Sequence, residues 1–174
     1  MSQVFLGLGA NLGDVFDTFS QAHKELSAKL GSVIDSSQIY KSEPFTGLDQ
    51  PTYYNLVLAF ESELTVTNIL SILQEVEFSL GRVRNKERWS NRLIDIDILA
   101  FGSDIINLEG LTVPHYDLAR RDFFLVPLAE LAPNFIHPVT KVGISAMIES
   151  IPKDLLTHLI VATQRYEKKD VRLK

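Results

Sequence analysis

The chain has 174 residues, 45% of them hydrophobic and 22% charged, with a net charge of -5 and no cysteine. That size and balance fit about one soluble globular domain and argue against a disordered chain. They exclude disulfides, thiolate metal sites and a cysteine nucleophile, and the negative charge disfavours a general nucleic-acid binder. No apolar run approaches the roughly 18 residues a membrane helix needs. The first residues lack a basic segment followed by an apolar stretch, so no secretory leader is expected; with no cysteine, a reducing compartment, the cytoplasm, is the simplest address.

Val4 to Gly9 reads as a strand, and Gly9 to Asp14 breaks it. Asn11 or Asp14 is placed to cap the next helix. Phe16, Phe19, Ala22, His23, Leu26 and Leu30 recur every three or four residues, which predicts a helix over 14–30 that ends at Gly31. Val33 to Tyr40 is rich in β-branched and aromatic residues and predicts a second strand. Ser42 to Pro51, with two prolines and a glycine, predicts a loop. Tyr53 to Glu63 predicts a third strand, and Thr65 caps a helix striped by Val66, Ile69, Leu70, Leu73, Val76 and Leu80. Arg82 to Arg92 is a polar loop. Leu93 to Phe101 is a strand, Leu111 to Val113 a short extended piece, and Phe123 to Leu131 a helix. Segments 145–151 and 155–162 are too short to assign by pattern, and Lys168, Lys169 and Arg172 suggest a solvated tail. The order β-α-β-β-α-β predicts a ferredoxin-like α+β layered fold with a mainly antiparallel sheet. No repeat or linker interrupts it, so a single domain over 1–174 is expected.

The most informative stretch is Arg92-Leu93-Ile94-Asp95-Ile96-Asp97-Ile98-Leu99. In a strand, Asp95 and Asp97 share one face, about 7 Å apart at Cα, while the isoleucines face a core. Two carboxylates so placed suit magnesium, which takes oxygen ligands and keeps room for water and phosphate. Taken alone, an Asp-X-Asp pair is more often a solvated strand face. Here Arg82, Arg84, Lys86, Arg88 and Arg92 lead into it with one acid, Glu87, among them. Arginine forks match phosphate oxygens, so cations, carboxylates and a polyphosphate would neutralise one another. That points to phosphoryl chemistry. Trp89 is out of place in a purely solvated loop and is a candidate anchor on closure.

Gly7 to Gly13 has the wrong spacing for a dinucleotide fingerprint, and no Lys-Ser/Thr follows for a P-loop. Tyr53 and Asn55 share a strand face and offer an aromatic plane beside an amide, a receptor for a flat heterocycle. Gln74 and Glu77 share a helix face. His115 has no nucleophile motif with it, which argues against a hydrolase triad.

These pieces, in this order, resemble the 6-hydroxymethyl-7,8-dihydropterin pyrophosphokinase family of folate biosynthesis. The matching stretches are Gly9-Ala10-Asn11-Leu12-Gly13-Asp14, Asp49-Gln50-Pro51-Thr52-Tyr53-Tyr54-Asn55, Gly81-Arg82-Val83-Arg84, Glu87-Arg88-Trp89, residues 92–99, and Val113-Pro114-His115-Tyr116 with Arg121-Asp122-Phe123, spread over residues 5 to 138. The resemblance implies a ferredoxin-like fold and diphosphate transfer from ATP to the pterin hydroxymethyl group, with release of AMP. It implies that Asp95 and Asp97 hold two magnesium ions, and that Arg82 and Arg92 are the catalytic cations. It implies that Tyr53 and Phe123 sandwich the pterin, with Asn55 on its polar edge and Ser42, Pro44 and Phe45 completing the pocket. Gln74, Glu77, Arg84, Arg88, Trp89, Arg92, Ile98, Thr112, His115, Tyr116 and Arg121 are the implied ATP contacts. Residues 44 to 50 and 82 to 92 correspond to loops that close over the substrates. A monomer acting on small molecules, with no nucleic-acid or membrane partner, is expected.

The chain departs from the family pattern in three places. Trp89-Ser90-Asn91-Arg92 stands where Trp-Gly-Pro-Arg is usual, Gly110 and Asn85 stand where basic residues are common, and the tail beyond about residue 160 has no counterpart. Two other readings of the same residues are a magnesium-dependent phosphohydrolase using Asp95 and Asp97, and a ferredoxin-like nucleotide- or RNA-binding module. The second lacks the aromatic pattern such modules carry on their sheets.

Overall fold

The first strand, β1 (Ser2–Ala10), runs between β4 (Tyr53–Ser62) and β5 (Asp95–Phe101) and is antiparallel to both. In this computed structural model the described residues are 1–31, 33–42, 50–82 and 91–162. The implied contacts Pro44, Phe45, Arg84, Arg88 and Trp89, the departures at Asn85 and Ser90, most of both loops and the tail from 163 lie outside them.

Helix α1 (Val15–Leu30) follows β1. Asp14 caps it, its Oδ1 accepting the Asp17 amide at 3.0 Å, and Gly31 ends it at φ 107°. Asn11, the other cap candidate, is used elsewhere. The strand expected over 33–40 is split into β2 (Val33–Ser36) and β3 (Tyr40–Ser42). Ser37 causes the break. Its amide donates to the Val57 carbonyl, and its hydroxyl accepts the Val57 amide at 2.9 Å, so a side chain replaces one rung of the ladder. Helix α2 (Val66–Ser79) follows β4 and is capped by Thr65 as its sequence predicts. A hairpin of β6 (Ile106–Leu108) and β7 (Leu111–Val113) follows β5. Helix α3 (Asp122–Leu131) starts one residue before the predicted boundary, and α4 (Ile144–Glu149) begins just ahead of the unassigned 145–151 segment and covers most of it. Segment 155–162 ends in a two-residue strand, β8 (Ile160–Val161).

Among the described residues the main sheet runs β5-β1-β4-β3-β8, with β2 also pairing β4, and every pairing is antiparallel. This is the α+β ferredoxin-like arrangement the element order predicts. Val4, Leu6, Leu8, Leu56, Leu58 and Phe60 pack one sheet face against Phe19, Leu26, Ile69 and Leu73 of α1 and α2. Phe5, Val57, Ala59 and Leu99 pack the other against Leu125, Leu128 and Met147 of α3 and α4. Covering both faces explains why Val4 to Leu8 is apolar without alternation.

His137 supports the turn before α4. Its Nδ1 accepts the amides of Val139 and Thr140, both at 3.3 Å, and the residue is buried. Burial holds its pKa below the ordinary histidine value. Protonation would turn that acceptor into a donor facing two N–H groups. The neutral form is therefore the one that supports the fold. Its contribution is complete above about pH 6.5 and is lost as pH falls from there through the folded-state pKa. Thermal unfolding of His137→Gln should lose less stability between about pH 7 and pH 5 than the wild type does; an identical slope for the two proteins would contradict this.

Candidate active site

The site is built where β1, β4 and β5 meet at one end of the sheet. Asp97 lies opposite Gly7 and Asp95 opposite Gly9, and Gly9 is in turn opposite Asn55 on β4. Both glycines are needed for space. A Cβ on Gly9 would stand 3.3 Å from Asn55 Oδ1, and one on Gly7 would stand 3.1 Å from both Leu99 and Phe124. Missing side chains on β1 thus let the carboxylates of β5 and the amide of β4 share one shallow face. Ile94, Ile96 and Ile98 are buried beneath it while Asp95 and Asp97 remain partly open, as the period of two requires.

Two arginines converge on Asp95. Arg82 Nη1 pairs with Asp95 Oδ1 and with Glu77 Oε1, and Arg92 Nη1 pairs with Asp95 Oδ2. Glu77, 3% exposed on α2, also accepts the Ile96 amide at 2.8 Å, fixing the helix to the strand that carries the aspartates. Packing around its carboxylate, then the charges of Asp95 and Glu77, push Asp97 up to about 7, with Arg82 and Arg92 opposing. The centre therefore holds more acid than its arginines offset at Asp97, which is the condition a bound cation relieves.

His115 Nε2 stands 4.0 Å from Asp97 Oδ1. Its Nδ1 accepts the Asp117 amide at 3.2 Å, so the neutral ring carries its proton on Nε2, toward the aspartate. Burial first, helped by Arg121, holds its pKa below the ordinary value against the pull of Asp117 and Asp95. The His115 amide donates to the Leu99 carbonyl at 2.9 Å, which ties this turn to the end of β5. Arg121 is buried and forked onto Asp117 Oδ2 at 3.0 and 3.2 Å. Tyr116, Thr112 and Gln74 are exposed, Tyr116 against the His115 ring at 4.4 Å between centroids. Ile98 is buried in the core rather than open at the surface.

A second, less charged region adjoins. Asn55 Nδ2 donates to Ser42 Oγ at 3.0 Å, both residues buried, which leaves the Asn55 amide oxygen as an acceptor above Gly9. Tyr53 begins β4, opposite Ser42, and its hydroxyl donates to Gln50 at 3.4 Å. Burial is the first reason its pKa lies above the ordinary tyrosine value. Phe123 stands half-buried in the first turn of α3, which packs across β4; the Phe124 ring is 4.8 Å away and the Arg121 guanidinium 6.0 Å.

Asn11 is a site residue that sequence reasoning assigned only to capping. It is 4% exposed, and its amide donates to the Arg92 carbonyl at 3.1 Å. Its Oδ1 accepts the Arg92 amide at 2.8 Å and its Nδ2 donates to Asn91 Oδ1 at 2.8 Å. This clamp explains why β5 starts at Asp95 and not at Leu93. The available signal was an asparagine just beyond a strand end with Asp14 already placed to cap the helix.

No described helix is long and apolar enough to cross a membrane. The family model described as 7,8-dihydro-6-hydroxymethylpterin-pyrophosphokinase (HPPK) matches residues 5–133. A protein of Haemophilus influenzae named 2-amino-4-hydroxy-6-hydroxymethyldihydropteridine pyrophosphokinase is 38% identical over 143 residues, covering 82% of this chain and 89% of its own. One of the same name from Methylorubrum extorquens is 39% identical over 137 residues, covering 78% and 86%. A solved HPPK-DHPS in complex with substrates superposes on 86% of this chain with a TM-score of 0.68; at 16% identity that is a likeness of fold, and the chain spans 43% of that longer polypeptide. With the carboxylates, arginines and amide pocket gathered at the end of this sheet, and a match across most of its length, the chain belongs to the 7,8-dihydro-6-hydroxymethylpterin-pyrophosphokinase family.

Proposed function

We propose that this chain, acting as a single-domain monomer, transfers diphosphate from ATP to the hydroxymethyl group of 6-hydroxymethyl-7,8-dihydropterin and releases AMP. The observation that carries this reading is the juxtaposition of two unlike regions. Asp95, Asp97, Arg82 and Arg92 make a centre suited to a polyphosphate, and the Ser42–Asn55 pair with Tyr53 makes a neutral, partly aromatic patch on the adjoining strands.

The donor set fits magnesium. Asp95 and Asp97 offer carboxylate oxygens on one strand face and would hold magnesium, two ions by the family resemblance, with substrate phosphates and water completing the shells. Magnesium, when bound, withdraws charge from the triphosphate. The protein's own part is positional. Arg82 and Arg92 are held beside the carboxylates by Glu77 and by the Asn11 clamp, where they can donate to phosphate oxygens as charge builds at transfer. The family resemblance adds Arg84, Arg88 and Trp89, which lie outside the described residues; Gln74, Glu77, Thr112, His115, Tyr116 and Arg121 border the nucleotide, with the Ile98 side chain in the core beneath. Asn55, held by Ser42, accepts from the pterin edge and Tyr53 and Phe123 cover its faces; Pro44 and Phe45, implied by the family resemblance, lie outside the described residues. The hydroxymethyl oxygen attacks the β-phosphorus, AMP leaves, and a loose transition state needs no strong base. The match to named pyrophosphokinases supports transfer over hydrolysis.

Phe123→Ala tests the pocket. Losing one stacked face should weaken pterin binding about tenfold, since stacking adds to plain burial, while ATP binding stays within about twofold. Calorimetry giving equal losses for the two ligands would overturn the assignment.

A further inference from the structure

The carboxylate of Asp122 is buried near the site and has no part in the diphosphate transfer. It is 4% exposed and occupies the first position of α3, next to Phe123. Its Oδ1 accepts the Phe123 amide at 2.8 Å and the Thr157 hydroxyl at 2.8 Å, and its Oδ2 accepts the Thr157 amide at 2.7 Å. Thr157 is also 4% exposed and lies 35 residues further along the chain. Three donors to one buried carboxylate satisfy a charge that would otherwise be costly there. They also satisfy an amide in the first turn of α3, which has no side-chain cap from Arg121.

The same C-terminal stretch then reaches the other side of the pocket. Ile160 and Val161 pair with Lys41 and Tyr40, and the Ala162 amide donates to the Ile39 carbonyl at 2.8 Å. Ser42, which receives the Asn55 amide, is the next residue on that strand. Residues 157–162 thus link the helix start that carries Phe123 to the strand that carries Ser42.

We propose that Asp122 and Thr157 are positioning residues for the pterin pocket, and that the C-terminal segment braces Phe123 against the sheet. The inference rests on the reading of Phe123 as a ring-facing residue. Neither Asp122 nor Thr157 touches substrate; they act by fixing the first turn of α3. Because this bracing concerns one face of the pterin, its loss should act on one substrate and not on the other.

The test compares Thr157→Val, Thr157→Ser, Asp122→Asn and Phe123→Ala in the full chain, with KM for 6-hydroxymethyl-7,8-dihydropterin and for ATP measured separately. Thr157→Val keeps the shape and removes the hydroxyl bond to the carboxylate. It should raise the pterin KM about fivefold, the scale of one charged hydrogen bond, and leave the ATP KM within about twofold. Thr157→Ser should restore the wild-type value, and Asp122→Asn should repeat the selective rise even if Thr157→Val does not fold. Equal rises in both KM values, an unchanged pterin KM in Asp122→Asn, or failure of serine to rescue would overturn the bracing. If Phe123→Ala weakens pterin while Thr157→Val and Asp122→Asn do not, the bracing alone is wrong. If Phe123→Ala leaves pterin unaffected, the pocket reading itself falls, and the bracing with it.

Discussion

Asp97→Ala should lower turnover about a thousandfold, the scale expected when a site loses a group on which charge stabilisation depends. The carboxylate stands on the open face of β5, with 36% of its side chain exposed, and takes no part in the core beneath. Its charge is disfavoured by its packing and by Asp95 and Glu77. Removing it relieves that repulsion, so the thermal midpoint of the variant should hold or rise at about pH 8, where the carboxylate would be ionised. Pterin binding in the absence of nucleotide should survive, because Asn55, Ser42 and Tyr53 lie on other strands. Steady-state turnover across a magnesium titration, together with a melting curve, checks both halves. Wild-type turnover at limiting magnesium, or a large loss of stability, would contradict the assignment.

Arg82→Ala should lower kcat about a hundredfold or more while changing ATP affinity by no more than about threefold. Arg82 is already held at the site without ligand, paired to both Glu77 and Asp95. Its charge is largely matched in the ground state, so it gains most when new negative charge develops on the transferred group. The substitution leaves the buried Glu77 with the Ile96 amide but without its arginine, and should also cost about 1–2 kcal/mol of stability. Equilibrium ATP binding beside single-turnover AMP release separates the roles. A loss of activity that matches a loss of ATP affinity would make Arg82 a binding residue.

What could be read from the sequence was whatever local chemistry decides. The caps at Asp14 and Thr65 are side-chain bonds to amides three residues on, and both are present. The shared face of Asp95 and Asp97 follows from strand periodicity alone, and their isoleucine neighbours are buried as that periodicity demands. The layered α+β class follows from the alternation of strands and helices, while β8 and the split of β2 from β3 were not legible. What could not be read was set by distant partners. Asn11 meets Arg92 across 81 residues, Asp122 meets Thr157 across 35, and the Ser37 hydroxyl meets Val57 across 20. None of these pairs leaves a periodic trace. The first moved the start of β5, the second tied the unassigned C-terminal stretch to the site, and the third split a predicted strand. Short segments such as 155–162 are placed by their partners; six of its eight residues are apolar, so neither an alternation nor a helical stripe marks one face.

The central claim is that the carboxylate–arginine centre and the neutral pocket serve one reaction. The most direct measurement follows nucleotide products from ATP and magnesium with and without 6-hydroxymethyl-7,8-dihydropterin. The account predicts AMP and pterin diphosphate in equal amounts, only when the pterin is present, with no inorganic phosphate released. Inorganic phosphate or ADP as the product, or AMP formed at the same rate without the pterin, would contradict it.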